Sequence, residues 1–336
     1  MINEFRQDLV SGDWVLFATE RALKPGTREN DKFHQFKDEC VFEPEKIIEQ
    51  ESPVLIFNNG QIAENLESGW TTIVIPNKFP ALKRGICGPV EQKGLFSIAV
   101  GSGFHELVVT RDHERSFSQF TDEETLEVLQ SYLSRYKTIA GDNCGDYVEI
   151  FHNHGRLAGA SVYHNHSQII SLPIIPPGIS REFVRARQYF KDNGKWIHEV
   201  VLEWEEKENK RIVFKNDKFT VLCPYASRSA YEMRIFPNAN DSDFGELSGE
   251  DLPYLAQALN TAIRKLSLVL DNIDYSFFIH TMPVKKTDSP EESFYRWHIE
   301  ISPRFAPLAG LELGTNVFIN VVDPDEAAEK LRNANV

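Results

Sequence analysis

The chain of 336 residues has no excess of positive charge: 36 basic residues face 50 acidic ones, for a net charge of −14. That excludes broad electrostatic binding to nucleic acid or to an anionic membrane, and leaves room only for a local basic pocket around a small anion. No stretch approaches the roughly 18 consecutive apolar residues of a membrane-spanning helix. The first residues, MINEFRQDLVSGDWVLF, lack the basic-then-apolar order of a secretory leader, so the cytoplasm is the expected location. The four cysteines, Cys40, Cys87, Cys144 and Cys223, are too scattered for a disulfide framework. Cys87, Cys144 and Cys223 read as packing residues. Gly-rich strand-to-helix turns are also missing, which excludes a doubly wound dinucleotide-binding sheet.

What is present is a chain long enough for two domains, with several legible strands: Trp14–Ala18, Thr71–Pro76, His105–Thr110 and Tyr147–His152. A helix starts at Thr121, with Glu124 completing a capping box and Leu126, Leu129, Leu133 and Tyr136 forming its apolar stripe. The second half repeats this order. KFTVLCPYASRSAYEMRIFPNANDSDFGELSGEDLPYL parallels FHELVVTRDHERSFSQFTDEETLEVL, with Ser248 and Asp251 as the second cap and Leu252, Leu255, Leu259 and Ile263 as the second stripe. DYVEIFHNHG is echoed by DYSFFIHTMP, and YHNHSQIISLP by YRWHIEISP. We read an internal duplication of an α+β unit, one helix per copy, over residues 1–175 and 176–336. A last helix begins at Asp323 with Pro324 in its first turn. The acidic run LEWEEKENK (202–210) reads as a hairpin or an exposed strand end, and His152 and His154 as solvated loop-edge residues. His34, His105 and His198 fall in no pattern.

One stretch carries chemistry. SVYHNHSQIISLP (161–173) reads as a strand that puts His164, His166 and Gln168 on one face. A neutral imidazole is a competent nucleophile toward phosphorus once one ring nitrogen is tied by a hydrogen bond. An amide two residues on donates to a phosphoryl oxygen without giving up a proton. Upstream, NHGRLAGAS (153–161) is a loop whose Gly155 and Gly159 let backbone N–H groups approach a phosphate, with Asn153 and Ser161 at its ends.

The segment His164-Asn165-His166-Ser167-Gln168 resembles the His-x-His-x-Gln motif of the galactose-1-phosphate uridylyltransferase family, a branch of the histidine-triad superfamily. The resemblance extends to RQDLVSGDWVLFATERALKP, VIPNKFPAL (74–82) and AGLELGTNVFIN (309–320). It implies two tandem histidine-triad-like domains, each a mainly antiparallel sheet with packed helices, in a homodimer. It also implies a double displacement in which His166 attacks the α-phosphorus of a nucleoside diphosphate sugar, releases a sugar 1-phosphate and hands the nucleotide to a second sugar 1-phosphate. Gln168 would bond the transferred group and Asn153, Gly159 and Ser161 its oxygens, with Arg21 and Lys24 at phosphate, Asn77 and Phe79 at ribose and base, and Glu312 on the sugar side. The second copy lacks the histidine pair.

The same resemblance implies two structural metal sites. Cys40, Glu43, His113 and His164 match a zinc site, with Glu43 where the family has a second cysteine. Glu182, His280, His298 and Glu300 match a zinc or iron site, with Glu300 where the family has a histidine. Around Leu311, Glu312 and Phe318 some polar side chains of hexose 1-phosphate transferases are missing. The runner-up is therefore a nucleoside diphosphate sugar phosphorylase, acting for example on ADP-glucose, in which inorganic phosphate takes the nucleotide. A reading of another class is a non-catalytic nucleotide-binding regulator.

Overall fold

The computed structural model describes residues 2–23, 33–142, 144–284 and 294–336. Lys24 therefore lies outside the described residues. The first half contains β1 (Asn3–Gln7), β2 (Trp14–Ala18), β3 (Leu55–Asn58), β4 (Gln61–Ile62), β5 (Thr72–Pro76), β6 (Glu91–Lys93), β7 (Phe96–Ile98), β8 (His105–Thr110), α1 (Asp122–Ala140), β9 (Tyr147–His154) and β10 (His166–Leu172). After α2 (Pro177–Asn193) and α3 (Ile197–Glu208) come β11 (Ile212–Lys215), β12 (Phe219–Leu222), β13 (Met233–Pro237), α4 (Leu252–Leu270), β14 (Tyr275–His280), β15 (His298–Pro303), α5 (Gly310–Thr315), β16 (Phe318–Asn320) and α6 (Pro324–Asn333).

The class is α+β. An eleven-stranded antiparallel sheet runs β11-β12-β13-β15-β14-β9-β10-β8-β5-β3-β4. From the β9–β14 seam outward, each half shows the same succession: β9, β10, β8, β5, β3 on one side and β14, β15, β13, β12, β11 on the other. Phe151 pairs with Phe278 at that seam, Gln168 with Phe151, and Glu300 with Phe278. Those registers place Glu300 at the repeat position of Gln168, and His298 at that of His166. The second copy has thus kept one histidine of the pair, and Arg296 stands where the first has His164.

Helices α1 and α4 pack against each other and against one face of the sheet. Thr121 makes the expected capping box with Glu124, and α1 turns Leu129, Tyr132, Leu133 and Tyr136 inward. In α4 the helix begins one turn later than the Ser248 signal, because Ser248 and Asp251 bond each other in a preceding turn. Asp323 caps α6 by accepting from the Asp325 N–H, with Pro324 at the first helical position. The two chain ends meet in a second sheet, β1-β2-β16, clamped by Arg6 Nη2 donating to Asp323 Oδ2 at 2.8 Å.

Three expectations are overturned. The acidic run 202–210 lies largely in α3, where Ile197, Leu202 and Glu205 are buried and Asn209 ends the helix in left-handed backbone. Long charged side chains suit an exposed helix face as well as a strand end. Two helices, α2 and α3, also fill the segment between the repeats, in addition to the one helix per copy and the last helix at Asp323. Finally, Cys87 and Cys144 are joined in a disulfide rather than packed separately. Cys40 and Cys223 remain free and buried. Among the described residues no helix is long and apolar enough to cross a membrane.

Candidate active site and metal-binding groups

Strand β10 alternates as its sequence requires. Ser167, Ile169 and Ser171 are buried, and the Ser167 hydroxyl meets Tyr132 of α1. His166 and Gln168 therefore share the opposite face. His164 lies before the strand, which begins at His166, so the three side chains do not form one row. His164 contributes differently: its backbone carbonyl accepts a hydrogen bond from His166 Nδ1–H at 2.9 Å. That bond fixes the proton on Nδ1 and leaves Nε2 with a lone pair. Burial of the ring, 8 % exposed, lowers its pKa against the opposing pull of that bond. The imidazole is neutral at pH 7.

Gln168 Oε1 accepts from His105 Nε2–H at 2.9 Å, and His105 Nδ1 accepts from the Ala81 N–H at 3.0 Å. Asn77 and Phe79 lie in the turn between: the Phe79 N–H donates to Asn77 Oδ1 at 2.9 Å, and the Phe79 ring is 85 % exposed. His105, which follows no sequence pattern, is thus a residue that sequence reasoning missed. In the loop after β9, Gly155 and Gly159 both have positive φ, 84° and 91°. A Cβ at Gly155 would collide with the Asp274 carboxylate, which accepts from the Leu157 N–H at 2.7 Å. Asn153, with its amide nitrogen turned toward its acceptors, reaches the Ala158 carbonyl at 3.2 Å and Ser276 Oγ at 3.0 Å. Ser161 is exposed at the loop's end, and Arg21 is exposed in the turn Thr19–Leu23. Glu312 lines a cavity of about 420 Å³ with Glu300, Ser302, Arg228 and Phe318 of the second repeat.

The first candidate metal-binding group assembles from four places in the chain. Ligand atoms of Cys40, Glu43, His113 and His164 lie within 4.8 Å of one another. His164 Nε2–H donates to the Thr110 carbonyl at 2.6 Å, and His113 Nε2–H to the Gln35 carbonyl at 2.7 Å. Both rings therefore turn an unprotonated Nδ1 toward the centre, the second-layer arrangement that metal-ligating histidines use. Cys40 Sγ is 3.5 Å from His164 Nδ1, close to the roughly 3.5 Å that tetrahedral zinc bonds to sulfur and nitrogen give. Glu43 Oε1 and His113 Nδ1 are 2.6 Å apart without hydrogen-bond geometry, and both are buried without a hydrogen-bond partner. Burial raises the Cys40 thiol pKa; a bound cation is what would hold it as thiolate. The donor set fits a metal.

The second group joins Glu182 of α2 to His280 and His298 at facing ends of β14 and β15. His298 Nδ1–H donates to the Arg296 carbonyl at 3.1 Å, the bond His166 makes in the first repeat, and this turns its Nε2 inward. His280 Nδ1 and His298 Nε2 are buried without hydrogen-bond partners. Burial opposes charge on both Glu182 and His280, and their mutual attraction outweighs it, holding Glu182 below and His280 above its ordinary value. Glu300 stands at the edge: its Oε1 is 3.5 Å from His298 Nε2 and 2.8 Å from Arg234 Nε. An oxygen–nitrogen set of this kind suits zinc or iron. His198 is buried with its ring centroid 5.5 Å from that of His298. His152 is likewise buried, 1 % exposed, not solvated as its loop-edge reading had it.

Two family models match the chain: galactose-1-phosphate uridyl transferase, N-terminal domain, over residues 2–176, and a domain of unknown function (DUF4921) over residues 97–334. Among curated proteins, ADP-glucose phosphorylase of Arabidopsis thaliana is 28 % identical over 99 % of this chain and 93 % of its own length. Galactose-1-phosphate uridylyltransferase of Thermotoga maritima is 28 % identical over 81 % of this chain and 87 % of its own length. Among solved structures, an ADP-glucose phosphorylase from Arabidopsis thaliana with bound ADP-glucose superposes with a TM-score of 0.83 at 26 % identity, covering both chains completely.

Proposed function

The chain belongs to the galactose-1-phosphate uridylyltransferase family, and from that premise we propose that it is a nucleoside diphosphate sugar phosphorylase in which His166 carries the nucleotide between two substrates. The observation that carries the chemistry is the bond from His166 Nδ1–H to the His164 carbonyl, which aims an unprotonated Nε2 out of a buried neutral ring. The Nε2 lone pair forms the N–P bond to the α-phosphorus. The bond from that phosphorus to the bridging oxygen breaks, and the sugar 1-phosphate leaves as a weakly basic anion that needs no proton. An oxygen of inorganic phosphate then forms the new P–O bond, the P–N bond breaks, and a nucleoside diphosphate departs. While His166 carries the nucleotide its ring is cationic, and the His164 carbonyl at Nδ1–H stabilises that charge.

We assign Gln168, Asn153, Gly159 and Ser161 to the phosphoryl oxygens, where donors aimed at developing charge supply most of the rate. Asn77 and Phe79 take ribose and base, Arg21 and Lys24 the phosphates, and Glu312 the sugar side. Zinc held by Cys40, Glu43, His113 and His164, and zinc or iron held by Glu182, His280 and His298 with Glu300 beside them, would be structural. The first would fix the carbonyl that holds His166. The working form is a homodimer. Likeness to ADP-glucose phosphorylase along nearly the whole chain supports phosphate as acceptor and ADP-glucose as donor. The uridylyltransferase of Thermotoga maritima, equally identical over less of the chain, supports the transferase as the second reading.

The test is intact-mass measurement after incubation with ADP-glucose or UDP-glucose. We expect an adenylyl adduct on His166 that inorganic phosphate discharges as ADP. An adduct discharged by galactose 1-phosphate but not by phosphate identifies the transferase. In His166→Asn, turnover should fall by at least about a thousandfold; undiminished turnover overturns the nucleophile.

A further inference from the structure

We infer that His105 is a positioning residue: it turns the nitrogen end of the Gln168 amide toward the transferred phosphoryl group and ties that amide to the nucleotide-side turn. The inference rests on the nucleotidyl transfer proposed above. A side-chain amide has two ends of nearly the same shape, one a donor and one an acceptor. Phosphoryl oxygens only accept. Gln168 therefore assists with its nitrogen toward phosphorus and repels with its oxygen there, so something must choose between the two.

The chain of bonds through His105 makes that choice. A backbone N–H can only donate, so Ala81 N–H at 3.0 Å requires an unprotonated His105 Nδ1. The ring proton is then on Nε2, so Nε2–H donates to Gln168 Oε1 at 2.9 Å and does not accept from Asn77 Nδ2, which lies 3.2 Å away. The oxygen end of the amide is taken, and its N–H groups are left for the site. Register makes the contact possible: His105 opens β8 opposite Ile170, while Gln168 faces Leu107, so the two polar side chains are diagonal neighbours on one face. The backbone carbonyl of His105 also accepts from the Asn77 N–H at 2.8 Å, so the turn 77–81 is fastened to this residue at both ends. A nucleoside seated on Asn77 and Phe79 thereby bears on the residue that aims Gln168.

The experiment compares single-turnover adduct formation from ADP-glucose and UDP-glucose in the wild type, H105A, H105Q, H105N, Q168A and the H105A/Q168A double variant. H105A should slow nucleotidylation by about tenfold to a hundredfold at saturating substrate. In the Q168A background the same change should cost less than about twofold, because His105 acts through the amide that is already gone. H105Q places a donor near the Nε2 position and should restore most of the rate. H105N places an acceptor near the Nδ1 position and should restore KM while leaving kcat low. Thermal melts of H105Q and H105N confirm folded protein. Equal losses from H105A with and without Gln168, or an unslowed H105A, overturn this role while the nucleophile stands. A wild type that forms no adduct removes the nucleotidyl transfer and this role together.

Discussion

His152 shows how much one side chain depends on the direction in which it points. Behind the His166 strand, its ring sits between Phe117 and Phe277, with centroids 4.9 and 5.0 Å away. Its Nδ1 is 3.1 Å from Ser167 Oγ, and its Nε2 is buried without a partner. Burial first, and the neighbouring His154 and His166 next, depress its pKa well below 6.5. In the unfolded chain the same ring titrates near its ordinary value of about 6.5. Below that pH the unfolded state binds a proton that the folded state refuses, so stability is lost as pH falls. The full contribution is present above about pH 6.5 and declines by up to about 1.4 kcal/mol per pH unit below it. Urea titrations between pH 5 and 7.5 should show a shallower slope for H152Q than for the wild type, by about one proton; equal slopes would refute the buried neutral ring. The sequence held the needed sign, because Val148, Ile150 and His152 share one parity in β9 and the first two are core residues. Reading the strand as ending at His152 hid that the alternation still applied there.

At the scale of elements, the pieces with a local code were legible and the pieces set by distant partners were not. Thr121 and Glu124 bond each other, so α1 could be read from four adjacent residues. Helix α3 could not, since its burying partners come from other parts of the chain and its exposed face resembles any charged run. The Cys87–Cys144 link spans 57 residues, and nothing near either cysteine marks the other. Denatured, unreduced protein should show two reactive thiols, Cys40 and Cys223, and four after reduction. Closing a loop of this length constrains the unfolded chain by about 4 kcal/mol in the chain-entropy picture, so C87S should melt at a lower temperature. Four reactive thiols without reduction would sink both statements. The first candidate metal-binding group is the intermediate case: each of its four residues was legible by family resemblance, whereas the two carbonyls that fix the histidine tautomers were not. With thiolate softer than carboxylate toward zinc, E43C should bind zinc about tenfold more tightly in competition with a chromogenic chelator. C40S should lose the metal and, through the loosened His164 carbonyl, some of the His166 geometry. Unchanged zinc content in C40S would remove Cys40 as a ligand.

For the whole molecule, the repeat seen in the sequence has a consequence that the sequence does not state. Two similar units could sit side by side with separate cores; here they share one sheet through the β9–β14 pairing and one helix layer through α1 against α4. A single hydrophobic cluster runs from Val74 and Val108 of the first half to Ile299 and Leu331 of the second. We propose residues 1–175 and 176–336 as the two structural units, but cutting between them would bare the whole edge of β9 and the inner flank of α1. An uncovered central strand with an apolar face invites pairing with other chains rather than independent folding. The first unit expressed alone should therefore lack a cooperative melt and aggregate, although it contains every residue assigned to nucleotidyl transfer except those on the sugar side. Co-expression with 176–336 should restore one cooperative transition and adduct formation at His166 together. Should 1–175 melt cooperatively as a soluble monomer, the seam is an interface between finished domains, and the sheet owes its continuity to docking instead of folding.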